Sequence, residues 1–177
     1  PTPDAIFPNN WISFHENKQA VLYPMCTPNR RAERKPETIL AIKKIIGDFS
    51  IIDLTAHENH EAFLEGTGSM VLDREHRIAY ACRSARTNPI VLNEFCRIMH
   101  YNPVLFSAID QNQQPVYHTN VMMCITEQLA IVCLDAISNE SEKKSVLNSF
   151  AKTGKTIVPI SLRQMQCFAG NMLQVLN

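Results

Sequence analysis

One arrangement of secondary structure recurs along the chain: two apolar runs around a polar tip, then a helical pattern, then a further apolar run. The hairpins of this arrangement begin near Trp11, Ser69, Thr119 and Asn171, about fifty residues apart. Regular order and spacing of this kind are typical of repeat architectures. The sequence therefore predicts one partial α/β domain over 1–177, built of ββαβ units at about 11–55, 69–109 and 119–161 and the start of a fourth at 171.

The hairpin strands, such as those in "RIAYACR", are apolar at nearly every residue. Both faces of each sheet are therefore expected to be covered. The first helical pattern, "KPETILAIKKIIG", places Ile39, Ile42, Ile45 and Ile46 on one stripe that should face the core. The alternative interpretation is one continuous α/β sheet without internal symmetry.

Capping residues mark the starts of the second and third helices. Asn88, followed by proline, is a good start for "NPIVLNEFCRIMHY". Asn139 and Glu142 have the spacing of a capping box, in an Asn variant of the motif. These signals support the division into units.

A polar residue precedes each hairpin. Asn9-Asn10 stands before the first, Glu65 before the second, His118 before the third and Asn171 before the fourth. If the units circle a common axis, these residues meet at one central site, where a carboxylate and an imidazole can carry out acid–base chemistry. Taken singly, the Glu is typical of a surface turn and the His of a solvated structural group, so the hypothesis depends on their equivalent positions.

Arg86, in "CRSARTNP", lies between the second hairpin and its helix. It is either a surface residue ahead of a helix cap or a guanidinium clamp for a carboxylate, which its planar fork suits. No pair of His or Cys has metal-ligand spacing, so no metal is predicted. The dinucleotide-binding and phosphate-loop fingerprints are both absent from the sequence.

Composition limits the partners. Lys plus Arg balance Asp plus Glu at 17 each, so neither a nucleic acid nor a membrane surface is expected as a partner. No membrane span or signal-peptide pattern is present in these residues. The six cysteines form no CxxC pair, which favours buried thiols in a reducing compartment, with the cytoplasm as the default.

Five ordered motifs resemble those of a known family: "PDAIFPNNW", "LEGTGSMVLDR", "CRSART", "YHTNVMMCI" and "CFAGNML". They are similar to the citrulline-hydrolase type of arginine deiminase-related protein, within the guanidine-modifying or pentein superfamily of amidinotransferases, arginine deiminases and dimethylarginine hydrolases. The resemblance covers essentially the whole chain. It implies a five-unit α/β propeller around a central active site, of which this chain would hold an incomplete part.

The resemblance also implies roles for individual residues. Glu65 corresponds to the acidic partner, His118 to the general acid–base and Arg86 to the arginine that grips the amino-acid carboxylate. Other substrate-side positions are Asp4, Asn9, Asn10 and Asn171. Asn9 and Asn10 stand where some relatives carry Glu-Asp. Loss of those carboxylates favours a neutral ureido group, such as that of citrulline, over a charged guanidinium.

The implied reaction is attack of a cysteine thiolate on the ureido or guanidino carbon, with release of ammonia and without a cofactor. The nucleophile of the family follows a glycine-rich stretch in the last unit, and no cysteine of this chain matches that place. The chain is therefore expected to be a fragment lacking both ends of the propeller, inactive by itself and prone to self-association. Amidino transfer and a non-catalytic binding module are the alternatives.

Overall fold

A computed structural model describes residues 5–173, in which three units of hairpin, helix and third strand follow one another. The first unit has β1 (Ile12–His15), β2 (Gln19–Leu22), α1 (Pro28–Arg31), α2 (Pro36–Ile46) and β3 (Ser50–Asp53). The second has α3 (Gly66–Ser69), β4 (Met70–Asp73), β5 (Ile78–Cys82), α4 (Pro89–Met99) and β6 (Asn102–Phe106). The third has β7 (Met123–Ile125), β8 (Leu129–Val132), α5 (Glu140–Lys152) and β9 (Thr156–Pro159), and α6 (Leu162–Gln166) follows it.

Each unit forms its own three-stranded sheet. The two hairpin strands pair antiparallel, and the third strand runs parallel to the second, in the orders β1-β2-β3, β4-β5-β6 and β7-β8-β9. The helix between the second and third strands provides the crossover that a parallel pair requires. The predicted ββαβ units are confirmed, and the alternative of one continuous sheet is wrong for the described residues.

The middle strands are buried on both faces because each long helix of the second and third units lies between two sheets. Ala79 and Ala81 of β5 join a cluster that contains Phe95 of α4 and residues of β2. Tyr80, on the other face of β5, joins a cluster that contains Phe150 of α5 and residues of β8. Burying such an aromatic side chain contributes about 2–3 kcal/mol, so these helices fix neighbouring units to each other.

The predicted apolar stripe of α2 is partly buried in its first half and exposed in its second. Ile39 and Ile42 pack against the cluster around Trp11, but Ile45 is 82% exposed and Ile46 57% exposed. Among residues 5–173, α2 has a sheet on one side only, whereas α4 and α5 have one on each side. The prediction that all four isoleucines face the core is therefore wrong for Ile45 and Ile46.

The predicted caps form, with one difference. Asn88 accepts a hydrogen bond from the amide two residues later at 2.9 Å. Asn139 accepts from the amide of Glu142 at 3.1 Å. The side chain of Glu142 does not return this bond. Instead it accepts from the amide of Ser107 at 2.7 Å and from Arg83 at 2.6 Å, because a partner in the neighbouring unit is within reach.

The end of the described chain differs from the sequence pattern. Ser161 and Gln164 form a complete capping box at the start of α6, a helix that the sequence pattern did not predict. The predicted fourth hairpin begins at Asn171 and runs beyond residue 173, so most of it lies outside the described residues. None of the helices in 5–173 combines the length and the apolar content that crossing a bilayer would require.

Candidate active site

Three short helical turns precede the first strands of the units and pack together. They are the 3-10 helix Pro8–Asn10, α3, and the 3-10 helix Thr119–Val121, with α3 in contact with both others. Glu65 is the residue immediately before α3, and His118 is the residue immediately before the Thr119–Val121 turn. The two predicted catalytic residues therefore occupy equivalent positions in consecutive units, as the repeat requires.

Glu65 and His118 are in contact. The Nε2 atom of His118 lies 2.7 Å from Oε2 of Glu65. The Glu65 side chain is fully buried, and His118 is nearly so. The amide of Cys26 donates to the other carboxylate oxygen, Oε1, at 3.0 Å. The prediction that the polar residues at the second and third hairpins meet is confirmed by this geometry.

The carboxylate of Glu65 is held in its ionised form. Burial alone would raise its pKa, but the hydrogen bonds from His118 and the Cys26 amide, with the positive charges of His118 and Arg86, outweigh burial and lower the pKa. An ionised carboxylate has no proton to donate, so Nε2 of His118 carries the hydrogen in their contact. The cost of burying the charge is offset by three hydrogen-bond donors: the amide of Cys26, Nε2 of His118 and Nη1 of Arg86.

Glycines on the α3 turn permit this close approach. A Cβ atom on Gly68 would lie 2.7 Å from Cε1 of His118. Gly66 has φ +40, and a Cβ atom there would lie 2.5 Å from the carbonyl oxygen of Asn9. Glycine is thus required at both positions of the "EGTGS" sequence. Any larger residue would push the imidazole of His118 or the Pro8–Asn10 turn away from Glu65.

Arg86 also contacts the Glu65–His118 pair, through Glu65. Its Nη1 atom donates to the same carboxylate oxygen, Oε2 of Glu65, at 3.1 Å. The guanidinium carbon lies 5.7 Å from the ring centroid of the half-exposed Tyr117, whose ring is 4.9 Å from that of His118. The side chain of Arg86 is 31% exposed. Within residues 5–173, its remaining N–H groups have no hydrogen-bond acceptor, so they can receive a ligand.

Within residues 5–173, the asparagines predicted on the substrate side form no hydrogen bond with the side chains of this cluster. Asn9 donates to Thr67 at 2.6 Å. Asn9, Thr67, Asn120 and Asn171 line a cavity of about 440 Å³ that none of the three cluster residues lines. Asn10 is buried, and its Oδ1 atom has no hydrogen-bond partner among the described residues. Asp4 lies outside the described residues.

The cysteines of the sheets and of α4 are poor nucleophiles. Burial raises the pKa of Cys82 to about 11 and that of Cys96 to about 12. Burial also raises the pKa values of Cys124 and Cys133. Cys26 is partly buried and Cys167 is exposed. In the part of the chain that the structure describes, no group of His, Cys, Asp and Glu side chains could hold a metal ion.

Sequence patterns missed several residues of the site. Tyr117 and Ser69 contact residues of the site, and Cys26 contributes its backbone amide. The hydroxyl of Thr119 bonds to the backbone of Ser69 and Cys82. Thr119 could have been found from its place next to His118. The contact from Cys26 could not have been found from the sequence, because every residue other than proline has the same backbone amide.

With this geometry established, comparison with known proteins gives the family. The family model described as "N,N dimethylarginine dimethylhydrolase, eukaryotic" matches residues 1–177. The chain belongs to this family. No curated protein matches the chain significantly.

Solved structures similar to this dimethylarginine dimethylhydrolase family member share its fold. The apo structure of ArgZ, an arginine dihydrolase from the ornithine–ammonia cycle in cyanobacteria, has a TM-score of 0.76 and 18% identity over 98% of this chain and 26% of that one. The N-terminal domain of ArgZ bound to substrate has a TM-score of 0.74 and 19% identity, over 96% of this chain and 58% of that one. A mutant of DDAH from Pseudomonas aeruginosa complexed with citrulline has a TM-score of 0.53 and 12% identity, over 93% of this chain and 72% of that one.

These likenesses confirm a pentein-type α/β fold of ββαβ units and the predicted resemblance to arginine- and citrulline-modifying proteins. The chain spans only about a quarter of full-length ArgZ and 58% of its N-terminal domain.

Proposed function

We propose that the chain carries the acid–base part of a cysteine-dependent hydrolase that acts on the ureido or guanidino carbon of a citrulline- or arginine-like amino acid. The observation that carries the proposal is the buried contact between Glu65 and His118, with Arg86 on the same carboxylate oxygen. A buried carboxylate beside an imidazole stabilises the imidazolium that forms during proton transfer. Membership of the dimethylarginine dimethylhydrolase family supports the reaction class.

In the proposed reaction, a cysteine thiolate attacks the planar carbon and its sulfur bonds to that carbon. The imidazolium of His118 gives its proton to the departing nitrogen, so ammonia or a methylated amine leaves and a covalent thiol adduct remains. Neutral His118 then takes a proton from water, whose oxygen bonds to the carbon as the carbon–sulfur bond breaks. The thiolate is regenerated, and no metal or organic cofactor takes part.

The thiolate in this scheme belongs to none of the four buried cysteines. Their raised pKa values keep them protonated near neutral pH, and all four residues are buried. Within residues 5–173, no hydrogen bond joins a cysteine sulfur to Glu65, His118 or Arg86. The same observation favours the second candidate, a binding module that recognises the amino acid without hydrolysing it.

Arg86 is proposed to bind the α-carboxylate of the amino acid. Its Nη1 atom contacts Glu65, which leaves the Nη2 and Nε side of the guanidinium for the two parallel hydrogen bonds that a carboxylate accepts. The ring of Tyr117 lies against both the guanidinium and the imidazole. It can therefore support the aliphatic part of a ligand that runs from one to the other.

The substrate is proposed to present a neutral ureido group. Asn9 and Asn10 carry amides, which lack the negative charge that would stabilise a guanidinium. Asp4 and Asn171 are the other residues proposed to contact this end of the substrate. Faster turnover, or tighter binding, of arginine than of citrulline would contradict this part of the proposal.

Calorimetric titration with citrulline and with arginine tests the binding half of the proposal. Arg86→Ala should weaken binding of the preferred amino acid at least about tenfold, because a bidentate charged contact is lost. Arg97→Ala is the matched control, since Arg97 is exposed on the surface of α4. Equal affinity of the wild type and Arg86→Ala would remove the carboxylate clamp.

Release of ammonia from citrulline and arginine, and of dimethylamine from N,N-dimethylarginine, tests the chemical half. Glu65→Gln should lower any turnover about 10²- to 10⁴-fold, the usual contribution of acid–base catalysis. Binding without release would favour the binding module. Release that rises with an added amine acceptor would favour amidino transfer, and neither binding nor release of any of the three compounds would refute the proposal.

A further inference from the structure

Two fully buried hydroxyl groups connect the chain segments that carry the site. The Oγ atom of Ser69 accepts from the amide of Glu65 at 2.8 Å and donates to the carbonyl oxygen of Arg86 at 2.6 Å. The Oγ1 atom of Thr119 accepts from the amide of Cys82 at 2.8 Å and donates to the carbonyl oxygen of Ser69 at 2.6 Å. Both residues are 0% exposed.

The direction of every bond in this network is fixed. A backbone amide can only donate and a carbonyl oxygen can only accept, so each hydroxyl must commit its single proton to the carbonyl. Both hydroxyls thus donate to a carbonyl oxygen at 2.6 Å. The Oγ1 atom of Thr119 also lies 3.5 Å from Sγ of Cys82, which is a longer and weaker contact. Fully satisfied buried networks of this kind make the surrounding backbone rigid.

The network crosses the boundary between the second and third units. Thr119 is adjacent to His118 in the third unit, whereas Ser69 and Arg86 belong to the second unit, as does Glu65. The hydroxyl of Thr119 thus joins the turn that carries the imidazole to the turn that carries the carboxylate. The hydroxyl of Ser69 joins that second turn to the loop that carries the guanidinium.

We propose that Ser69 and Thr119 are positioning residues that set the contact between the imidazole of His118 and the carboxylate of Glu65. This inference rests on the proposed function for its catalytic meaning, although the contact itself can be measured without turnover. Acid–base groups work within a few tenths of an ångström of a productive geometry. A hydrogen bond of 2.7 Å across two units needs a fixed connection between the backbones on either side.

The hydrogen on Nε2 of His118 provides a direct readout. A proton in a short, buried hydrogen bond to a carboxylate gives a downfield proton NMR signal that exchanges slowly with water, and His118→Gln should abolish it and so assign it. In Thr119→Val and in Ser69→Ala, this signal should be lost, or its exchange should accelerate at least about tenfold. Thr119→Ser keeps the hydroxyl and should keep the signal.

Thr153→Val is the matched control. Thr153 also donates its hydroxyl proton to a backbone carbonyl, but within the last turn of α5, so this variant should retain the signal. If Thr119→Val does not fold, Ser69→Ala and Thr119→Ser decide the question, because both remove little volume. An unchanged signal in a folded Ser69→Ala or Thr119→Val would overturn the inference. Loss of the signal in a protein that binds no amino acid would sustain this inference while contradicting the proposed function.

Discussion

The buried ion pair between Asp73 and Lys155 should control how firmly the second and third units are joined. Asp73 ends β4 in the second unit, and Lys155 immediately precedes β9 in the third. The Nζ atom of Lys155 lies 3.1 Å from Oδ2 of Asp73, and the two side chains are 1% and 2% exposed. Lys155 also donates to the carbonyl oxygen of Glu127 at 2.8 Å, and Asp73 accepts from the amide of His76 at 3.2 Å.

Lys155→Met is the most informative change at this pair. It removes the cation and leaves the carboxylate of Asp73 buried, with His76 as its remaining side-chain partner within residues 5–173. Removing one partner of a buried pair costs about 3–5 kcal/mol, because the remaining charge stays desolvated. We expect a loss of about 3 kcal/mol in the free energy of unfolding, at the lower end of that range, since His76 still donates to the carboxylate.

Urea denaturation followed by far-ultraviolet circular dichroism measures this change, with a constant m-value as the check on two-state behaviour. The double variant, Asp73→Asn with Lys155→Met, should lose less than the sum of the single changes, because it leaves no unpaired charge. Lys143→Met is the matched control. Its partner, Glu140, is 84% exposed, so this pair contributes at most about 1 kcal/mol. A loss below about 1 kcal/mol in Lys155→Met would refute the role given to the buried pair.

Two further predictions concern stability. Burial, with the charges of Arg74 and Arg77, lowers the pKa of His15 from 6.5 to about 4 against the opposing effect of Glu16. The unfolded chain therefore takes up this proton first, and stability should fall by about 2 kcal/mol as the pH drops from about 6.5 to about 4, allowing for solvent around the partly exposed ring. Parallel pH–stability curves for His15→Gln and the wild type would contradict this. Asn88→Ala should lower the free energy of unfolding by about 1 kcal/mol through loss of the α4 cap, and an unchanged thermal midpoint would show that the cap contributes nothing.

The order of elements and the central pair could be predicted because both depend on local periodicity. Continuous apolar runs mark each hairpin and helical apolar patterns mark each helix, and the repeat spacing then makes Glu65 and His118 equivalent before any contact is known. The exposure of Ile45 and the side-chain partner of Glu142 could not be predicted in this way. Each depends on which element lies beside it in space, which the local pattern does not contain.

Some contacts of the site were equally beyond the sequence. The amide of Cys26 reaches Glu65 from the first unit, 39 residues away, and a backbone donor is the same in every residue type. Ser69 and Thr119 have hydroxyls that are ordinary in turns, so only their zero exposure and paired bonds distinguish them. Asn9 and Asn171 follow the repeat and line one cavity, but neither Glu65 nor His118 is among its lining residues.

The repeat explains why an ionisable group stands at the entrance of a core strand. The residue that immediately precedes the helical turn is Phe7 in the first unit, Glu65 in the second and His118 in the third. The fold fixes where these positions lie, whereas the residue type fixes what each can do. Within residues 5–173, the second and third units place an ionisable group there, and the hydroxyls of Ser69 and Thr119 form a connection between those two units. Desolvation of Glu65 is therefore tolerated at this boundary because the neighbouring unit supplies the imidazole that offsets it.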